Sequence, residues 1–212
     1  MDSDLHSRAR WALIALAVYA VFDVVAFFSG LAEYRLLGTD YTIAQANAND
    51  DRQAMIGALQ FILLIVTAVF YLRWFKCAYA NVERLGGERR YGTGWAVGAW
   101  FVPILSLWRP KQIADDIWKA SNRDGDTAVS PVVRVWWGAW LLASVIGNMT
   151  LRFTFSADTP DELQGAAAAN IAAVVLEFVA ALLAIWVVRA ITTRQSSSPS
   201  RFGDVAAEGA PF

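Results

Sequence analysis

GWAVGAWFVPILSLWRP, residues 94–110, is apolar enough for a bilayer yet holds three tryptophans, two glycines and an internal proline. Pro103 stands mid-segment, where a helix would lose a backbone hydrogen bond and clash with its preceding turn. Whether this stretch crosses a membrane or enters and turns back decides the topology of everything after it. The chain around it is 57% hydrophobic and 17% charged, against about 45–50% and about 25% in ordinary globular domains, a balance displaced toward lipid. Its net charge of −1 disfavours nucleic acid as a partner. Cys77 and His6 are the only residues of their kinds, which excludes an intrachain disulfide and a Cys/His zinc site within one subunit.

Four other runs, residues 11–31, 54–75, 132–153 and 165–191, meet the length of about 18 apolar residues that a hydrocarbon core demands. The first is too long for a cleavable signal peptide and reads as a retained signal anchor. Ser130-Pro131 caps the third run, and Thr159-Pro160-Asp161-Glu162 sets a capping box before the fourth. The second helix keeps its apolar stripe through Phe75, Tyr79, Val82 and Leu85 until Gly86-Gly87 stops it. The fold class expected is an all-α integral membrane protein: four transmembrane helices plus a Pro-broken re-entrant or interfacial segment at residues 91–108. Residues 1–10 read as a cytoplasmic N-terminal tail, 11–194 as the membrane domain and 195–212 as a disordered C-terminal tail.

Lys and Arg set orientation, because cytoplasmic connections carry them in excess. Arg8 and Arg10 precede the first span, whereas residues 33–53 hold only Arg35 and Arg52 beside four acids. Arg73, Lys76, Arg84, Arg89 and Arg90 precede the quoted stretch, and Arg109, Lys111, Lys119, Arg123 and Arg134 follow it. Residues 152–164 carry one base. Both termini are then cytoplasmic, in a multi-pass protein of the cell membrane, and both flanks of residues 94–110 lie inside. The stretch is therefore expected to turn back, packed against spans that satisfy its backbone. Trp95, Trp100 and Trp108 suit the headgroup level. A helix over residues 110–121 follows, with Ile113, Ile117 and Trp118 as an apolar face for the inner surface. The alternative is a fifth span kinked at Pro103.

FYLRWFKCAYANVERLGG (residues 70–87) followed by YGTGWAVGAWFVPILSLWRPKQIADDIWKAS (residues 91–121) resembles the signature block of an actinobacterial membrane-protein family, domain of unknown function 4328. Gly94, Trp95, Trp100, Phe101, Pro103, Trp108, Arg109, Pro110 and Trp118 carry the likeness. Where the family pattern has a proline before the Gly-Trp pair, this chain has Thr93-Gly94. The resemblance implies spans before and after the block and brings no activity, substrate or catalytic residue with it.

Each span holds one strongly polar residue well inside it: Asp23, Gln60, Asn148 and Glu177. A central Asp costs about 2.5–3.5 kcal/mol on insertion scales, so such residues mark function by default. Helical offsets align Tyr19, Asp23, Ala26 and Gly30; Gly57, Gln60, Leu64, Thr67 and Tyr71; Ser144 and Asn148; and Asn170, Ala173, Glu177, Ala180 and Ala184. All four faces are expected to converge. One reading is a proton- or cation-linked site with Asp23 and Glu177 as its carboxylates. The plainer one is hydrogen-bonded glue between helices, worth about 0.6 kcal/mol per contact. The plainer reading takes precedence, since four spans leave little room for a path unless the chain oligomerises.

Asp115 and Asp116, with Asp124 and Asp126, read as a charged helix face and a solvated turn, without the spacing of a calcium loop. GTGWAVG lacks both a preceding strand and a Walker lysine. The expectation is a non-enzymatic scaffold or accessory subunit without cofactor or metal. Its partners would be the lipid bilayer and either another membrane protein or further copies of itself. The alternative is a small oligomeric transporter or channel using Asp23 and Glu177.

Overall fold

The structure is a computed structural model that describes residues 2–122 and 130–197. Among the described residues all regular structure is helical: α1 (Asp2–Leu37), α2 (Ile43–Ala80), α3 (Trp95–Gly98), α4 (Arg109–Ala120), α5 (Pro131–Ser156) and α6 (Pro160–Ser197). Helices α1, α2, α5 and α6 are each long and apolar enough to cross a bilayer. Their ends follow local chemistry. Ser130 Oγ accepts the Val132 amide at the start of α5. Thr159 Oγ1 accepts the Glu162 amide while Glu162 Oε2 accepts the Thr159 amide, closing the capping box of α6. Gly86, at φ 80°, takes the left-handed conformation that ends the turns after α2, and the Gly87 amide reaches back to the Val82 carbonyl.

Three boundaries differ from those read in the sequence. Helix α1 begins inside the charged N-terminus, with Leu5 and Ala9 buried, so residues 2–10 are not a separate tail. Helix α2 begins at Ile43, well before residue 54, because Thr42 and Gln45 form a second capping box. Helix α6 continues through Gln195 to Ser197, and Gln195 is buried. The rest of the expected C-terminal tail, and Asp124 and Asp126, lie outside the described residues.

Two compact units make up the chain. The second comprises residues Ala15–Thr67 and Gly138–Leu183. Within it Ala26, Ile56 and Val174 form a small core flanked by Phe22 and Phe27. A Cβ on Gly30 would stand 3.1 Å from Ile171 Cγ1, the close approach that small residues give membrane helices. Thr67 donates to the Ala15 carbonyl. Val21, Phe61 and Phe155 point outward at 67, 64 and 83% exposure, apolar surface suited to lipid.

The first unit gathers the described residues of Met1–Ile14, Ala68–Trp137 and Ala184–Phe212. Trp74 donates from Nε1 to Thr192, and Gln195 accepts from Asn81 and donates to the Ala78 carbonyl, so buried polar pairs join α2 to α6. The stretch opened by Gly94 holds no helix longer than four residues, only α3 and a 3₁₀ turn at Leu105–Leu107. A straight crossing helix needs about 20 residues, and no helix of that length lies in this stretch. Pro103 sits at the break, where Ser106 closes a turn by donating from N to Val102 O and from Oγ to Pro103 O. The helix expected to lie along a surface is instead enclosed. Residues Ile113 to Trp118 of α4 are all buried, and no residue of that helix is exposed.

Gly87 and Gly92 separate packing from chain freedom. A Cβ on Gly87 would lie 2.7 Å from Ala120 Cβ, whereas Gly92 faces open space. Gly87→Ala should lower stability by about 1–3 kcal/mol, and Gly92→Ala should not, as read by thermal unfolding in detergent.

Candidate functional site

The polar faces converge in part. Helix α1 presents Tyr19 and Asp23 one turn apart, and the Tyr19 hydroxyl donates to Glu177 Oε2 of α6 at 2.9 Å. Asp23 is 1% exposed, and neither of its oxygens has a hydrogen bond of good geometry. Gln60 of α2 and the charge of Glu177 are the neighbours that act on it. Gly147 of α5 lies opposite, where a Cβ would come 3.7 Å from Glu177 Oε1. Ala173, Ala180 and Ala184 are buried on the Glu177 face as the spacing predicts. On the α2 face Thr67 and Tyr71 are buried, but Gly57 and Leu64 are exposed.

Asn148 does not join the group. It is exposed, and its amide donates to the Ser144 carbonyl of its own helix at 2.7 Å, the local bond that competes with any partner across a bundle. The fourth member is Tyr19, signalled in the sequence only by its one-turn offset from Asp23.

The signature block is built on aromatic packing. Trp100 meets Tyr71, Phe75 and Trp137 edge-on at ring separations of 5.8, 6.0 and 5.9 Å. Trp136 touches both Tyr71 and Trp137. Such pairs contribute about 0.5–1.5 kcal/mol each beyond their buried area. Trp100 therefore belongs to an aromatic cluster. Arg109 lies over the rings of Tyr91 and Trp95 at 4.8 and 4.1 Å, and Arg194 lies over Trp118, which stacks on Trp186. Tyr79 accepts the Tyr91 amide and donates to the Tyr91 carbonyl. Gly94 and Pro103 are exposed, Pro110 is buried, and Phe101 and Trp108 stand out at 72 and 43% exposure.

The acids of α4 are paired. Lys111 holds Asp115 at 2.6 Å, and Arg90 holds Asp116 through Nε at 3.0 Å and through its backbone amide. Among the described residues no group of three or more His, Cys, Asp or Glu is gathered that could hold a metal ion.

Over residues 38–193 the sequence matches a domain of unknown function, DUF4328. The chain belongs to that family. The matched DUF4328 region contains the block, Gln60 and Glu177, whereas Tyr19 and Asp23 precede it. No curated protein and no solved structure matches the chain.

Asn148→Ala should change stability by less than about 0.5 kcal/mol, whereas Tyr19→Phe, which strips Glu177 of its donor, should cost about 1 kcal/mol. Burial pushes the Asp116 carboxyl above its ordinary value, with the Arg90 amide and guanidinium pulling it back. The native state then holds that proton more tightly than the unfolded chain, so this group's contribution falls as pH rises through the carboxylate range. Asp116→Asn should remove that part of the slope in an unfolding series against pH.

Proposed function

We propose that this protein is a non-enzymatic scaffold or accessory subunit, multi-pass in an actinobacterial cell membrane. The actinobacterial part rests on the likeness of the block alone. Both termini face the cytoplasm, by the Lys and Arg bias of the connections, and residues 91–108 re-enter from that side.

The observation that carries the reading is a ridge of exposed apolar side chains that follows the packed Trp100 in the chain. Phe101, Ile104, Leu107 and Trp108 are 72, 67, 50 and 43% exposed, and Trp100, next to Phe101 in the chain, packs against Phe75 and Trp137. Arg109, the base next to the ridge, is engaged over Tyr91 and Trp95. An uncharged, pre-ordered apolar ridge suits an apolar helix of another membrane protein, because little conformational entropy is lost on contact. A second reading, an oligomeric transporter, draws on the buried Asp23 beside Glu177.

Photoreactive residues at Phe101 and Leu107 in native membranes test the first reading, with lipid-exposed Phe61 as control. The expected result is one saturable protein adduct at the ridge, containing an apolar helix, and lipid adducts at Phe61. Lipid adducts alone at all three positions would refute it.

A further inference from the structure

Among the described residues no Lys or Arg acts on Asp23 or Glu177. Asp23 is the only charged residue of α1 between residues 11 and 32, and Glu177 the only one of α6 between 163 and 188. Residues 53–72 of α2 and 135–151 of α5 carry no charge at all. The titratable groups on these four stretches are Tyr19, Asp23, Tyr71 and Glu177. Two ionised carboxylates facing one another in apolar surroundings repel, and neither has a cation of the protein to hold it. Glu177 is half-buried and receives the Tyr19 hydroxyl. Asp23 is closed off from solvent, and neither of its buried oxygens has a hydrogen bond of good geometry, the Gln60 amide being the neighbouring donor. An ionised carboxylate only accepts hydrogen bonds, so this side chain is built for an occupant that brings positive charge.

We infer that Asp23, flanked by Gln60 and faced by Glu177 and Tyr19, is a binding site for a monovalent cation, either a proton or a sodium-sized ion. The acidic and hydroxyl atoms gathered here are all oxygens, two from Asp23, those of Glu177 and the Tyr19 hydroxyl, and the Gln60 amide stands beside them. Such a set suits hard cations. A proton on Asp23 turns one acceptor into a donor, which the Gln60 amide oxygen can accept. Asn148, exposed and bonded to its own helix, takes no part. The site stands whether or not the ion is carried across the membrane, and it does not depend on the docking ridge.

The test uses the full chain in phosphatidylcholine vesicles treated with dicyclohexylcarbodiimide, an apolar reagent that attacks carboxyls carrying their proton. Adducts are mapped by mass spectrometry. Labelling of Asp23 should fall several-fold as pH is raised, and Glu177→Gln should move that transition by removing the like charge. Sodium salts that slow labelling where choline salts do not assign a metal ion as occupant; no sodium effect assigns the proton alone. In parallel, the melting temperature in detergent is compared with that of Asp23→Asn. Wild type should lose ground to the variant as pH rises, and sodium should restore it only if it binds. Labelling of Asp23 that is the same at every pH and in both salts would overturn the proposal. So would an unlabelled Asp23 whose melting difference from Asp23→Asn never changes with pH or salt. Protection by magnesium instead of sodium would overturn the monovalent assignment.

Discussion

A single buried hydroxyl, that of Tyr79, satisfies both backbone polar groups of Tyr91, accepting from its amide and donating to its carbonyl. The bond matters because the chain leaves regular helix after Ala80 and returns to a full-length one only at Arg109. In apolar surroundings an unpaired peptide group costs several kcal/mol, so irregular backbone persists only where protein satisfies it. Around this tie the first unit is arranged. Tyr91 passes the connection on to Gln112 of α4, Arg90 fixes Asp116, and the Trp100 cluster seats the segment that follows. The block signature thus describes a packing solution: Pro103 sits where helix breaks, Pro110 opens α4, Trp100 and Trp118 pack against other rings, and Arg109 lies over the rings of Tyr91 and Trp95.

The second unit meets the opposite problem. Its helices are regular, so backbone needs are met locally, and the polar burden is carried by side chains. Arg52, Asn49, Ser29, Gln53 and Glu33 link α1 to α2 by side-chain hydrogen bonds near the helix ends. Deeper in α1, Asp23 has no such network. A scaffold could hold α1 to α6 with alanine and glycine alone, as Gly30 already does against Ile171. Retaining two carboxyls there costs insertion energy without an evident packing return, which is why the site is read as one that takes an ion.

Much of this was legible before the structure. The capping boxes at Thr159 and the proline start at Pro131 are local chemistry, and local chemistry survives folding. The stop at Gly86 was equally plain. Periodicity placed Asp23, Ala173, Glu177 and Ala180 on inward faces, because a period of 3.6 fixes direction once the core is known. It failed for Asn148, where a side chain bonding its own helix cost less than crossing to another. It failed also for α4. Its apolar stripe of Ile113, Ile117 and Trp118 looks like that of a surface helix, but Arg90 and Lys111 neutralise Asp116 and Asp115 and let the acidic side be buried too. Those partners become visible only when the fold brings residue 90 to residue 116. The start of α2 at Ile43 was readable from Thr42 and Gln45 but was masked by the acids that follow.

On the proposed topology the Trp-rich segment folds back and does not carry the chain across the membrane. The most direct test is side-specific labelling of single cysteines at Gly92 and Asn122, which bracket it, in a Cys77→Ser background in intact cells. The account predicts that both positions react with a membrane-permeant maleimide and neither reacts with an impermeant one. Opposite behaviour of the two would make residues 94–110 a true crossing and reverse the orientation of α5 and α6.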